Sequence, residues 1–395
     1  MKLKCLLFMF FAALLSGPMA FSQDETTEEE AKSFTLSGSI DTYVHTTFGA
    51  MNPYAGTYDD DGDLLIHAPT TSFSNLKGFS LGMVNLIGAY EGEKVGFVAD
   101  LVFGPRGTDA VFGSPFYSST AQIINQMYAY WKPSDNFTLT LGNFNTFLGY
   151  EVISPAVNFH YSTSYMFSWG PFSHTGIKGN LEFGDGMNVL LAVMNPTDLT
   201  EFNPVNTYTL GAQLGHSGDA GGIWLNLLYG DQDGKLDADV DDDGTTSAGS
   251  LFQVDLTAGW DLTENFYLGV NATYNQTAVG EVVNGSSVDD LDGDAGSFMG
   301  VALYPKLTLS ESTAIGLRFE YFAIKNDYIE LFTLDDEGDG NVIDLTLSLN
   351  HSIGNLTIIP EIRMDKTSDD SFFTKDFEDV TDSMISFNFA AIYKF

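Results

Sequence analysis

Residues 252–275 read FQVDLTAGWDLTENFYLGVNATYN. In the first half Phe252, Val254, Leu256, Ala258 and Trp260 alternate with Gln253, Asp255, Thr257, Gly259 and Asp261. In the second half Phe266, Leu268, Val270, Ala272 and Tyr274 alternate with Tyr267, Gly269, Asn271, Thr273 and Asn275. A period of two is the signature of an extended strand with one oily and one polar face. The connection at 262–265 is short and carries an Asn, as a tight turn requires. The pair is an antiparallel hairpin whose oily face must meet either a second sheet or hydrocarbon.

Working outward, the same alternation returns at 343–350, where Ile343, Leu345, Leu347 and Leu349 oppose Asp344, Thr346, Ser348 and Asn350. About sixteen strands are predicted along the chain, starting near Phe34, Gly78, Lys94, Ala121, Phe137, Thr175, Met187, Thr207, Gly222, Leu251, Phe266, Ser297, Thr313, Val342, Leu356 and Met384. Most run about ten residues, the length of a tilted membrane strand. The strands near Gly78, Ala121 and Met187 alternate poorly. Connections after even-numbered strands are tight (91–93, 132–136, 184–186, 262–265, 310–312 and 354–355), and those after odd-numbered strands are long (49–72, 150–173, 231–249 and 367–383). Soluble sandwiches have no reason to sort loops by parity. An outer-membrane barrel does, with short periplasmic turns and long external loops. Open strand edges cannot sit in lipid, so the sheet must close. The expected fold is all-β: a closed antiparallel transmembrane β-barrel of about sixteen strands.

The ends agree with export. Lys2 and Lys4 precede an apolar run from Leu6 to Leu15 that is too short for a membrane-spanning helix. Ala20-Phe21-Ser22 offers small residues at the positions a signal peptidase reads. The expected division is a signal peptide (1–22), an acidic periplasmic tail (23–33) and the transmembrane barrel (34–395). Cys5, the one cysteine, lies in the leader, so no disulfide framework is expected. At the other end Phe387, Phe389, Ala391, Tyr393 and Phe395 share one face of the last strand. An aromatic terminus of this kind is what outer-membrane barrels present to their assembly machinery. Expected partners are that machinery and outer-membrane lipid; a homotrimer is one assembly open to such a chain.

The formal net charge is −37, from 53 acids against 16 Lys and Arg. A nucleic-acid partner is disfavoured by this sign. The acids gather in the tail (Asp24, Glu25, Glu28 to Glu30) and in the long loops at 59–63, 231–243, 289–294, 335–339 and 369–382. Two readings stand. Asp239, Asp241 and Asp243 with Gly244 match the start of a calcium loop, and Asp335, Glu337 and Asp339 with Gly340 match it more loosely, which would give weak Ca2+ binding. Both lack the closing Glu, since Ser250 and Thr346 stand in its place. The other reading is a solvated, self-repelling surface.

Where alternation is clear, charges fall on the lumen side: Asp41, Asp100, Lys178, Glu182, Asp255, Arg318, Glu320, Asp344, Glu361 and Arg363. Opposed charges in a pore sort ions and small polar solutes; the alternative is structural salt bridging that fills the lumen. The loop at 150–173 differs from the others. Glu151 is nearly its only charge, and it carries Phe159, Tyr161, Tyr165, Phe167, Trp169 and Phe172. So apolar a loop is costly in water, and folding into the barrel, or packing over its rim or against a neighbouring subunit, relieves that cost. No enzyme is expected: six histidines are scattered, with no HExxH and no nucleophile elbow.

Several stretches resemble the OmpL-like β-barrel porin family of Gram-negative outer membranes: FTLSGSIDTY at 34–43, LGYE at 148–151, HTGIK at 174–178, TENFYLGV at 263–270, 309–321 with its LRFEY core, and the closing AIYKF at 391–395. The Asp-rich loops depart from that pattern. The resemblance implies a closed outer-membrane barrel acting as a porin, and supplies no functional residues to carry over. The expected role is a passive channel for small hydrophilic solutes or ions, biased toward cations by its acidic mouth. The alternative is a non-conducting barrel that displays acidic loops to a ligand, calcium or a surface partner.

Overall fold

Alternation leaves each strand with one face that water tolerates and one that it does not, and the computed structural model resolves this by rolling a single sheet shut. It describes residues 33–51, 71–111, 120–232, 250–278, 282–283, 286–287, 295–329, 331–374 and 379–395. The predicted leader, the acidic stretch before Ser33 and the loop acids at 59–63, 233–243 and 289–294 lie outside the described residues.

The wall consists of β1 (Ser33–Phe48), β2 (Gly78–Glu91), β3 (Val95–Phe103), β4 (Ile124–Ser134), β5 (Phe137–Asn145), β6 (Ser173–Glu182), β7 (Met187–Met194) and β8 (Thr209–Gly218). It continues with β9 (Gly221–Gly230), β10 (Leu251–Thr263), β11 (Phe266–Thr277), β12 (Gly296–Ser310), β13 (Thr313–Lys325), β14 (Gly340–Ile353), β15 (Leu356–Thr367) and β16 (Ser383–Lys394). Each strand pairs with its sequence neighbours and the last pairs with the first, so the barrel has sixteen strands and no edge. Ser39 faces Lys394 and Phe48 faces Ile385 across the seam. Below Ser39 the backbones of Gly38 and Phe395 exchange two hydrogen bonds of 3.0 and 3.1 Å, so the terminal residue itself closes the wall.

Predicted and observed strand starts agree within a few residues. The largest difference is at β4: Ala121–Ile123 forms a single 3₁₀ turn with Ala121 buried, and pairing begins at Ile124, beside a register shift between Asp100 and Leu101. The loop parity also holds. Seven short turns, among them 219–220, 264–265 and 354–355, lie at one end, and the long connections lie at the other. Gly354 sits at φ 59°, the left-handed conformation that a two-residue hairpin turn demands.

Side chains sort as the alternation requires. Leu141, Leu191, Leu214, Phe319, Leu347 and Phe389 point outward and stay exposed. Their sequence neighbours on the inner face, such as Arg318, Thr346 and Asn388, are buried. Exposed aromatics cluster toward the two strand ends, including Phe34, Trp131, Tyr393 and Phe395 at the short-turn end and Phe79, Tyr208 and Tyr229 at the other, which is the girdle arrangement of a membrane barrel.

A lysine at the hydrocarbon midplane costs about 2–4 kcal/mol, and at the interface about 0–1 kcal/mol. Leu347→Lys, mid-strand on β14, is expected to destabilise folding into lipid vesicles by that larger amount and Ile353→Lys, beside the turn, by the smaller. Urea titration of folding in vesicles checks the contrast.

A lumen filled by an inserted loop

The connection between β5 and β6 (146–172) enters the barrel and is buried there. Backbone placed inside a barrel loses its water, and every N–H and C=O must find a partner or cost free energy. This loop contains only one short helix, α2 (Tyr165–Trp169), opened by Ser164, whose Oγ accepts the Phe167 N–H at 3.1 Å. The wall supplies several of the remaining partners. Glu361 on β15 accepts the N–H groups of Tyr161 (2.7 Å) and Ser162 (3.1 Å). Glu320 on β13 accepts those of Tyr165 and Met166, both at 2.8 Å. In the opposite sense, Arg318 donates to Ser162 O (2.8 Å) and Arg363 to Thr163 O (2.8 Å). Charged wall groups therefore replace the hydration of an irregular backbone.

The charges also pair among themselves. Arg318 meets Glu151 of the loop (2.9 Å) and Asp344 on β14 (2.7 Å); Arg363 meets Asp344 (3.0 Å) and Asp365 (2.7 Å). Both guanidiniums and the carboxylates of Asp344 and Asp365 are 0% exposed. Desolvating such ions is expensive, and these ion pairs and hydrogen bonds offset it, with Arg318 Nε alone of the two guanidiniums' nitrogens left without a partner. Glu151 additionally accepts the Ser164 N–H at 2.7 Å, tying the loop's one acid to the start of α2.

The described parts of the two preceding long loops pack on the insert. Arg106, in the short helix α1 (Pro105–Ala110), donates to Ile153 O (3.0 Å) and Tyr161 O (3.2 Å) and lies 4.3 Å from the Phe73 ring. Thr163 donates to Ser72 O at 2.5 Å. Phe73, Phe167, Phe172, Ile153, Met83 and Val102 make an apolar cluster beneath this lid. The far end of the insert is clamped by Asp198, in the β7–β8 connection, which accepts the Phe172 and Ser173 N–H groups, both at 2.8 Å.

Burial sets protonation within these connections. It pushes the Asp198 carboxyl up to about 7, against the lowering effect of the two amides. His160, which shares a 2.7 Å hydrogen bond with Ser348, is pushed down to about 4 by burial and by the Arg318 guanidinium, so it is neutral at physiological pH. Burial also raises the phenols of Tyr150, Tyr161 and Tyr165.

The predicted lumenal residues fall into four placements. Arg318, Glu320, Asp344, Glu361 and Arg363 are brought together, covered by the insert instead of facing an open water column. Asp41, Asp100 and Asp255 are buried inside the wall on neutral partners: Asp41 takes Tyr161 Oη (2.6 Å) and Met83 N (3.0 Å), Asp100 takes Asn85, Asn125 and Gln126, and Asp255 takes Gly149 N, Asn226, Thr257 and Asn271. Lys178 lies 3.9 Å from the Phe144 ring. Glu182 departs from the expectation: it ends β6 at the turn, where its exposed side chain belongs to the rim and not to the lumen wall. Alternation gives a facing but not a height along the barrel.

Sequence reasoning passed over Asp365, Arg106 and Asp198. Asp365 follows Glu361 and Arg363 at period two and was legible; Arg106 and Asp198 act from loops, where no periodicity reports facing. Of the calcium candidates, Asp239, Asp241 and Asp243 lie outside the described residues. Asp335 accepts the Glu337 and Asp339 N–H groups at 2.9 Å each, and Asp339 pairs with Lys325. The described residues contain no cluster of three His, Cys, Asp or Glu side chains arranged to hold a metal.

A closed sixteen-strand barrel with short turns at one end, long loops at the other and a third loop folded inside is a porin-type architecture. The chain belongs to the family described as "Putative beta-barrel porin-2, OmpL-like", which matches residues 33–395. Solved structures share the fold. A loop-deleted form of OmpT, an outer membrane protein of Vibrio cholerae, superposes with a TM-score of 0.57 at 10% identity, over 93% of this chain and 100% of that one. The anion-selective porin of Comamonas acidovorans gives 0.56 at 12% identity, over 92% and 100%. The outer membrane channel DcaP of Acinetobacter baumannii gives 0.55 at 14% identity, over 93% and 99%. No curated protein matches the sequence.

The Asp198 clamp gives a pH signature. A carboxyl raised to about 7 in the fold and near 4 when unfolded favours the folded state below pH 4, and that contribution is lost as pH rises toward 7. Asp198→Asn keeps the accepting oxygen but cannot ionise. Its melting temperature in detergent is expected to match the parent near pH 4 and to exceed it increasingly up to pH 8; a constant difference across that range contradicts the assignment.

Proposed function

We propose that the protein is an outer-membrane porin, a passive channel for small hydrophilic solutes and ions that favours cations. The observation that carries the charge preference is the set Asp41, Asp100 and Asp255. These carboxylates sit on β1, β3 and β10 inside the wall, and among the described residues none of them has a salt-bridge partner. Negative charge without a salt-bridge partner inside a low-dielectric wall attracts cations and repels anions. The acid-rich long loops add to the same field at the outer mouth.

The water route belongs opposite the ion-paired cluster. There Asn188 reaches Asn180 (3.1 Å) and Gln213 (3.3 Å), and Gln213 reaches Asn226 (2.8 Å), an amide ladder running across β6, β7, β8 and β9. Asn180, Asn188 and Gln213 remain half-exposed, unlike the covered charges of β13–β15. Family and fold support a channel rather than an enzyme. Export by a cleaved leader, delivery through the aromatic terminus at Phe395, and assembly as a homotrimer in outer-membrane lipid belong to the same reading.

The complete burial of Arg318 and Arg363 favours a second reading, a closed barrel that displays acidic, calcium-binding loops to a ligand or surface partner. Planar-bilayer recording separates the two. A channel conducts in discrete steps, whereas a display barrel is silent. In a potassium chloride gradient the reversal potential is expected to carry the cation sign and to move toward zero in the double variant Asp100→Asn, Asp255→Asn. An anion-sign potential in the parent contradicts the proposed preference.

A further inference from the structure

Below the inserted loop, on the short-turn side, lies a cavity of about 570 Å³ that none of the charges discussed above fills. Its position follows from its lining: Lys306, Asn350, Ser352, Thr357 and Lys394 all stand within a few residues of a short turn or of the carboxyl terminus. It is therefore a vestibule facing the periplasm.

Its walls are built around rings. Tyr150 and Tyr304 stack at 4.2 Å with an interplanar angle of 19°, and the Tyr150 hydroxyl meets that of Tyr267 at 3.1 Å. Two wall glycines let the loop's rings lie flat. A Cβ at Gly269 would come within 2.5 Å of the Tyr150 ring, and one at Gly316 within 2.4 Å of Phe159. The charges are unusual for so acidic a chain. Lys306 lies 4.7 Å from the Tyr267 ring, and among the described residues neither Lys306 nor Lys394 has a carboxylate partner. The one carboxylate in the lining, Glu151, is committed to Arg318 and to the Ser164 N–H. Asn350 donates to Phe159 O at 3.0 Å and leaves its Oδ1 buried without a donor.

We propose that this vestibule is a binding site for small aromatic carboxylates entered from the periplasmic face. The rings offer stacking surface, the two lysines offer charge-assisted hydrogen bonds to a carboxylate, and the Asn350 oxygen is a ready acceptor for a ring hydroxyl. A neutral sugar would use the rings but leave both ammonium groups without an anion, and a cation would be repelled by them. The inference goes beyond the channel reading, because binding here does not require conduction.

The test is isothermal titration of the full-length protein in detergent with 4-hydroxybenzoate, 4-hydroxybenzylamine and glucose as probes. The benzoate is expected to bind, to weaken as sodium chloride is raised, and to lose about tenfold in affinity in Lys306→Gln, the scale of one charge-assisted hydrogen bond. Lys306 makes no ion pair, so the variant is expected to fold, and circular dichroism with a thermal melt verifies it. Asn350→Leu, a second variant, is expected to weaken 4-hydroxybenzoate and to leave unsubstituted benzoate, titrated as a further probe, unchanged. Equal binding of the amine, binding of glucose alone, no binding of any probe, or an unchanged benzoate affinity in folded Lys306→Gln each overturns the proposal. The failure is distinct from failure of the channel reading, which is judged by conductance.

Discussion

Irregular backbone inside a membrane barrel needs hydrogen-bond partners that lipid cannot give and that excluded water no longer gives. The insert between β5 and β6 meets that need with the wall's charges. Glu361 and Glu320 each hold two consecutive loop amides, and Arg318 and Arg363 each hold a loop carbonyl. The two arginines are joined through Asp344, which pairs with both, and Arg363 also pairs with Asp365. A buried ion network of this kind is weak as a source of net stability, because apolar residues of equal volume often do as well. Its use here is positional: it fixes where the loop lies and how deep it reaches.

That placement divides the lumen. On the β13–β15 side the insert covers the charges and stacks its aromatic residues against Phe298, Phe322 and Val342. Opposite, the amide side chains of β6–β8 stay half-exposed. Below the insert, Gly269 and Gly316 leave room for Tyr150 and Phe159 and so create the ring-lined vestibule. One loop thus separates an acidic outer side from a periplasmic pocket whose uncommitted charges are lysines.

Much of the wall was legible because a membrane strand reports its facing every two residues. Arg318 with Glu320, and Glu361 with Arg363, were readable as inward pairs on that basis alone, and Asp365 was readable by the same rule. The aromatic content and near-absence of charge in 150–173 pointed to a loop that avoids water, with inward folding as one of two outcomes. Other features were not legible. Arg106 binds carbonyls 47 and 55 residues away, and Asp198 clamps amides 26 and 25 residues away, across loops that have no period. Glu182 shows the complementary gap, since parity assigned its side of the wall but not its height at the rim. Height depends on strand tilt and stagger, which a single chain's alternation does not encode.

The claim that wall charges hold the loop backbone is tested most directly by amide hydrogen exchange on the folded protein, resolved over residues 158–168. The account predicts protection of Tyr161, Ser162, Tyr165 and Met166 comparable to that of the barrel strands, and loss of protection confined to Tyr161 and Ser162 in Glu361→Leu and to Tyr165 and Met166 in Glu320→Leu, which remove both acceptor oxygens. Exchange of these four amides at the rate of exposed loop residues in the parent protein would contradict it.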